Sequence, residues 1–288
     1  MESNGKDEVA AVSGLPNTLQ RAKAAIDLLA TYQARVNELS RIRREALTDL
    51  IDHEGWARKD LAVELGISQA RLSQLLKSGP APWRALLGSG SVITVAVGEK
   101  TEAPKEHGQP GPAVAKEDLD AYTMMSALAR DLGFETEYET VSPPGFVDLN
   151  RSDLVVICGP RLSPPIGQIL AGDPNIKFDK DSEGWYLEDL KNETVFRSPM
   201  DSGRNADYAY LGRLPRPDGR GFFLYIAGIH AVGAPGVVHY LSREIADLYS
   251  AVRQRRFSCI IRCEFEPKTM KISSSKRVTP VYQPGGPH

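Results

Sequence analysis

The chain has 288 residues, 41% of them hydrophobic and 25% charged, with a formal net charge of −2; that length fits a small module joined to a medium-sized domain. The near-neutral balance excludes a whole-chain attraction to nucleic acid or to an anionic membrane, so any such contact needs a local basic surface. No apolar run approaches the roughly 20 residues that cross a bilayer.

The N-terminal stretch MESNGKDEVAAVSG lacks a basic segment followed by an apolar one, so no secretory signal is expected. The three cysteines, Cys158, Cys259 and Cys263, have no zinc-ligand spacing around them. A cytoplasmic protein with reduced core thiols and no metal is the expectation.

In chain order, residues 1–15 are polar and read as a disordered tail. A helical module is expected over 16–88. Within it Ala22, Ile26, Leu29, Tyr32, Val36, Leu39, Ile42, Ala46 and Leu50 recur at a mean spacing near 3.5. For residues 16–40 two readings stay open: packing within the module, or the seam of a two-stranded dimer contact. For 41–53 local packing is favoured. Gly79-Pro80-Ala81-Pro82 halts the helical pattern, and Trp83–Gly90 reads as a short helix or linker.

The second domain, expected over 91–282, opens with a strand at Ser91–Val97 and a Pro/Gly-rich mobile loop over 101–115. A helix at Glu117–Leu132 ends before Gly133, and strands follow at Phe134–Thr140 and Asp153–Cys158. Ser163–Leu170 reads as a short helix. Residues 173–215 read as short strands and turns, an antiparallel insertion. A strand at Gly221–Ala227, a helix at Gly236–Arg253 and a strand at Phe257–Phe265 complete the alternation, and 283–288 is a second disordered tail. The fold class is therefore α/β: an all-α N-terminal module followed by a mostly parallel sheet with helices on both faces.

Residues 56–77 carry the most specific pattern. Leu61 and Leu65 share one face of a first helix, and Ala62 is small enough for a second helix to cross closely. Gly66 suits a positive-φ helix stop, Ile67 plugs the space between helices, and Ser68 caps the second helix. Leu72, Leu75 and Leu76 bury that helix, leaving Gln69, Ala70, Arg71, Ser73, Gln74 and Lys77 outward. Such side chains match base edges: Gln pairs with adenine, Arg with guanine. Arg58, Lys59, Lys77 and Arg84 suit phosphates.

This stretch, Leu61-Ala62…Leu65-Gly66-Ile67-Ser68…Arg71-Leu72-Ser73-Gln74-Leu75 after Arg41-Ile42-Arg43-Arg44-Glu45-Ala46, resembles the helix-turn-helix of region 4 in bacterial sigma factors. The resemblance covers about a quarter of the chain. It implies a tri-helical module bound to double-stranded DNA, without implying a sigma factor, because no second promoter-binding region is visible.

Two strand-to-helix loops in the second domain are candidate anion sites. One runs Cys158-Gly159-Pro160-Arg161-Leu162-Ser163-Pro164-Pro165, with Gly159, Pro160, Arg161 and Ser163 as its candidates; the other spans Gly228–His239 and carries Gly228, His230, Gly233 and Gly236. Helix N-terminal amides favour negative charge there, and Arg161 adds a bidentate donor. Neither loop matches GxGxxG or the P-loop pattern, which disfavours a dinucleotide-dependent dehydrogenase or a P-loop NTPase. His239, inside a helix, reads as structural, whereas His230 stays open. Asp201, in Ser198–Arg204, reads as part of a surface turn. Tyr208, Tyr210, Trp185 and Tyr186 fit either base stacking or core. The domain resembles, at the level of fold only, Rossmann-like nucleotide-sensing domains of bacterial regulators and defence proteins.

Together these readings give the expectation of a homodimeric, ligand-responsive regulator of transcription. It binds double-stranded DNA through residues 68–77, responds to a nucleotide-like or phosphorylated effector, needs no cofactor and has no assigned catalytic residue. The competing expectations are a nucleotide- or nucleoside-processing hydrolase or transferase carrying a DNA-targeting module, and an interaction protein whose α/β domain binds another protein.

Overall fold

The computed structural model describes residues 3–102 and 111–283. The chain divides into two compact units: Met1–Pro82 with Ser89–Ser91, and Trp83–Gly88 with Val92–His288. Trp83–Gly88 thus belongs with the larger unit, where Ala85, Leu86 and Leu87 are buried in its core.

In the smaller unit, residues expected as a disordered tail form helix α1, Ser3–Ser13. Helix α2, Thr18–Asp52, is one continuous helix of 35 residues, capped by Asn17, whose side chain accepts from the Leu19 and Gln20 amides. Helices α3, Arg58–Glu64, and α4, Gln69–Lys77, follow. Leu61, Ala62 and Leu72 of the short pair bury against Leu47 of α2, with Leu50, Ile51, Ile67, Leu75 and Leu76 packed around them. Residues 41–53 of α2 therefore pack locally. Farther up, Leu19, Ile26, Leu29, Val36 and Leu39 stay exposed.

The larger unit is mixed α/β around a seven-stranded sheet. Its strands are β1 Val92–Gly98, β4 Glu135–Val141, β5 Leu154–Ile157, β9 Ala206–Pro215, β10 Phe222–Gly228, β11 Phe257–Phe265 and β12 Ile272–Arg277. They lie in the order β12-β11-β9-β10-β5-β1-β4. The β4, β1, β5 and β10 ladders are parallel, and the β9, β11 and β12 ladders antiparallel, so five of the seven strands point one way.

Alternate residues of each central strand feed two cores, as period-two side chains must. Val95, Val97, Val155, Ile157, Leu224 and Ile226 face α5, Lys116–Asp131, and α7, Gly233–Val252. Ala96, Leu154, Val156, Phe223 and Tyr225 face α6, Pro164–Ala171, and Leu187 of a separate three-stranded sheet. That small antiparallel sheet, β6 Ile176–Asp181, β7 Gly184–Asp189 and β8 Thr194–Arg197, is the inserted part of the 173–215 stretch. The rest of the stretch supplies β9, a long central strand rather than a short one.

The chain moves from β1 to β4 on one side, then to β5 on the other side of β1. Helix α5, after β1, and α6, after β5, pack on opposite faces. The loops leaving β1 and β5 therefore diverge, which opens a crevice at their carboxyl ends. Two short strands, β2 Lys100–Thr101 and β3 Pro112–Ala113, pair beside it. The mobile loop expected over 101–115 falls mainly on 103–110, outside the described residues, as does nearly all of the tail expected over 283–288. Among the described residues no helix is long and apolar enough to cross a membrane.

Candidate functional site

Two surfaces carry the residues singled out by sequence. On the smaller unit, α3 and α4 are joined by Leu65-Gly66-Ile67-Ser68, where Gly66 takes φ +64°. A side chain there would be strained whatever the space around it. The Ser68 hydroxyl accepts the Arg71 amide at 3.1 Å, closing the first turn of α4. Burial of Leu72 leaves Gln69, Ala70, Arg71, Ser73, Gln74 and Lys77 exposed, with Ser68 beside them. Arg71 Nη1 donates to Gln74 Oε1 at 3.2 Å, so two of these side chains hold one another. Arg58 and Lys59 are exposed at the start of α3.

Arg84 is a correction. It belongs to the larger unit and is only 3% exposed. Its Nε donates to the Leu132 carbonyl at 3.1 Å, and its guanidinium lies 3.5 Å from the Phe134 ring centroid. A buried, stacked guanidinium has no reach to a phosphate.

In the larger unit the crevice holds a shallow, partly open cleft with an enclosed volume of about 30 Å³. Gly159, Pro160, Arg161, Gly228 and His230 line it, as the two candidate loops required. Ser163 does not; it is fully buried and donates to the Gly145 carbonyl at 2.6 Å. Gly233 and Gly236 are also packing residues. A Cβ on Gly233 would stand 2.6 Å from Gly228 Cα, and one on Gly236 would stand 2.5 Å from Cys263 Cβ and Sγ. Their amides bond to the His230 and Val232 carbonyls. Gly233 lets α7 approach β10 and β9, Gly236 lets it approach β11, and neither presents its amide to a ligand.

The cleft also takes three residues that sequence reasoning did not single out, Lys100, Asp118 and Phe178, and it takes Trp185, which the sequence left open between stacking and core. Lys100 comes from β2, two residues after β1 ends, Asp118 from the first turn of α5, and the aromatics from the small sheet. Phe178 and Trp185 meet edge to face at 5.7 Å. Burial pushes the Asp118 carboxyl up to about 6, against the pull of Lys100 and Arg161. Among the described residues, none of these three charged side chains has an ion-pair partner or a side-chain hydrogen bond.

At the cleft, His230 Nε2 lies 2.8 Å from Asp201 Oδ1. The Ser198–Arg204 segment therefore supplies an acid to the open histidine, a pairing that two residues 29 apart in sequence do not announce. Below it, the fully buried Asp207 accepts the His230 amide at 2.9 Å through Oδ2, while its Oδ1 has no hydrogen-bond partner among the described residues. Cys158 also lines the cleft, but burial pushes its thiol up to about 12, which removes it as a thiolate nucleophile at neutral pH.

Outside the cleft, His239 Nδ1 lies 2.7 Å from Ser275 Oγ, and burial lowers its pKa. Tyr210 is core, donating to Asp173 Oδ2 at 2.7 Å. Tyr208 packs on Phe196, and Tyr186 lies under Arg197. The three cysteines are free and buried. Among the described residues, no three His, Cys, Asp or Glu side chains converge as metal ligands. No family model, curated protein or solved structure matches the chain.

Proposed function

We propose that the protein is a ligand-responsive, DNA-binding regulator of transcription. The observation that carries the reading is the α3–turn–α4 arrangement: a positive-φ Gly66, a Ser68 cap, and a buried Leu61–Ala62–Leu72 contact that leaves a Gln, Arg, Ser and Gln edge in solvent. That edge has the size and donor–acceptor chemistry of a major-groove reader. Arg58, Lys59 and Lys77 are free at the surface for phosphates.

The exposed apolar line of α2, with Leu19 and Ile26 seven apart and Leu29 and Val36 seven apart, supports dimerisation through that helix. Two copies double the base contacts at half-sites about one DNA turn apart. The cleft of the larger unit is the effector site. An effector acts there by binding the DNA-competent and DNA-incompetent states unequally.

Selection from a randomised duplex library with the full chain tests the reading. A two-fold symmetric motif is the expected product; recovery of no motif above background argues against it.

One observation favours a second reading, in which the cleft turns over a nucleotide or nucleoside: the Asp201–His230 pair, a base oriented by an acid. Turnover of a nucleotide abolished by His230→Ala and by Asp201→Asn would establish it.

A further inference from the structure

The cleft in the larger unit combines three features that select different parts of one ligand. Lys100 and Arg161 bring two cations to the divergent loops after β1 and β5, and neither has an ion-pair partner among the described residues. Cations so placed, beside a helix start, favour a phosphate. Phe178 and Trp185, set edge to face, bring apolar ring surface from the small sheet. Asp118 brings a carboxyl that is half-buried and without a hydrogen-bond partner of its side chain among the described residues.

A carboxylate in an anion site is a liability unless the ligand carries a donor for it, because two like charges in a desolvated cleft repel. Inorganic phosphate or sulfate offers no donor beyond its own protons. A sugar diol offers two hydroxyls at a fixed distance from both a phosphate and an aromatic base. From this juxtaposition we infer that the cleft binds a ribonucleotide, with its phosphate at Lys100 and Arg161, its ribose hydroxyls donating to Asp118, and its base against Trp185 and Phe178. The inference rests on the effector-site reading above and names the ligand class of that site.

Asp118 then acts as the selector between ribose and deoxyribose. A hydrogen bond to a charged acceptor is worth about 1.5–3 kcal/mol, so loss of the hydroxyl weakens binding by about tenfold or more. The aromatic wall makes the tryptophan a reporter, since a base stacked on Trp185 changes its emission.

The experiment titrates the full chain with the four ribonucleoside monophosphates, their 2′- and 3′-deoxy analogues, the corresponding nucleosides and inorganic phosphate. Binding is read by calorimetry and by tryptophan fluorescence. The expected result is at least one ribonucleotide that binds at least about tenfold tighter than one of its deoxy analogues, with phosphate alone much weaker.

Asp118→Ala should bring that ratio close to one. Asp118→Asn, isosteric and uncharged, should reduce it partway, and guards against a folding defect in the alanine variant. Lys100→Ala with Arg161→Ala should erase the advantage of nucleotide over nucleoside. Trp185→Phe should silence the fluorescence change and leave the calorimetric signal.

Equal affinity for ribo- and deoxy-forms, an unchanged ratio in both Asp118 variants, or no nucleotide binding at millimolar concentration would overturn the proposal. Duplex binding measured on the same sample keeps the two failures apart. Ribose-selective binding that leaves DNA affinity untouched upholds the site and sinks the effector reading. DNA binding that responds to a different ligand does the reverse.

Discussion

The two units solve the same problem, hiding apolar surface, on very different scales. The larger one buries both faces of a seven-stranded sheet, and its candidate site residues lie in a cleft assembled from β2, α5, β5, β10 and the small sheet. The smaller one has a core built on four buried side chains, Leu47, Leu61, Ala62 and Leu72, and holds its candidate site residues on the outside of its short helices. A small core leaves little reserve, so the smaller unit should fail first and from single substitutions. The larger should resist them, except where its backbone elements touch.

Leu72→Ala is the largest test of that contrast. Deleting a large, fully buried side chain costs about 2–5 kcal/mol, enough to unfold the smaller unit while the sheet persists. Two transitions should appear on heating, with the early one lost in the variant; a single unchanged transition would break the comparison.

In the larger unit, Asp118 sets a pH dependence. Its folded-state pKa, about 6, lies above the ordinary 3.8, so the folded state holds the proton more tightly. Its contribution to stability is full below about pH 4 and is lost as pH rises through about 6. Asp118→Asn should flatten that decline and leave the variant more stable at pH 7, by at most about 3 kcal/mol. Denaturant melts at pH 4 and pH 7 read the difference.

Gly236→Ala comes next. Its Cβ would enter the 2.5 Å space before Cys263, costing about 1–3 kcal/mol in the melting of the larger unit only. Smallest is Ser68→Ala, which removes the cap of α4 and should cost about 1 kcal/mol, confined to the smaller unit.

The contrast also explains what was legible in the sequence. The α3–α4 pattern is local: a stop glycine, a plug, a cap and an apolar face fall within 22 residues, so each clue sits beside the next. Strands β1, β5, β10 and β11 were legible because β-branched and aromatic runs mark buried strands wherever they occur.

The cleft was legible only in part. Arg161, Gly228 and His230 sit on loops after apolar strands, a position that sequence reveals. Lys100, Asp118 and Phe178 come from separate elements, and nothing local says that the switch between β1 and β5 gathers them. Gly233 and Gly236 misled for a related reason. A glycine that admits a ligand and one that admits a neighbouring strand look alike until Gly228, against Gly233, and Cys263, against Gly236, are in place. Arg84 misled because an arginine after a basic segment reads as surface, while its real partners, the Leu132 carbonyl and Phe134 ring, lie about 50 residues on.

The measurement that bears most directly on the account is duplex DNA binding by the full chain with Gln69, Arg71 and Gln74 all changed to alanine. These side chains are exposed, so the fold and its melting should be unchanged. The account predicts that sequence-specific binding disappears, leaving at most a weak, salt-sensitive interaction through Arg58, Lys59 and Lys77. Specific binding at undiminished affinity would contradict it.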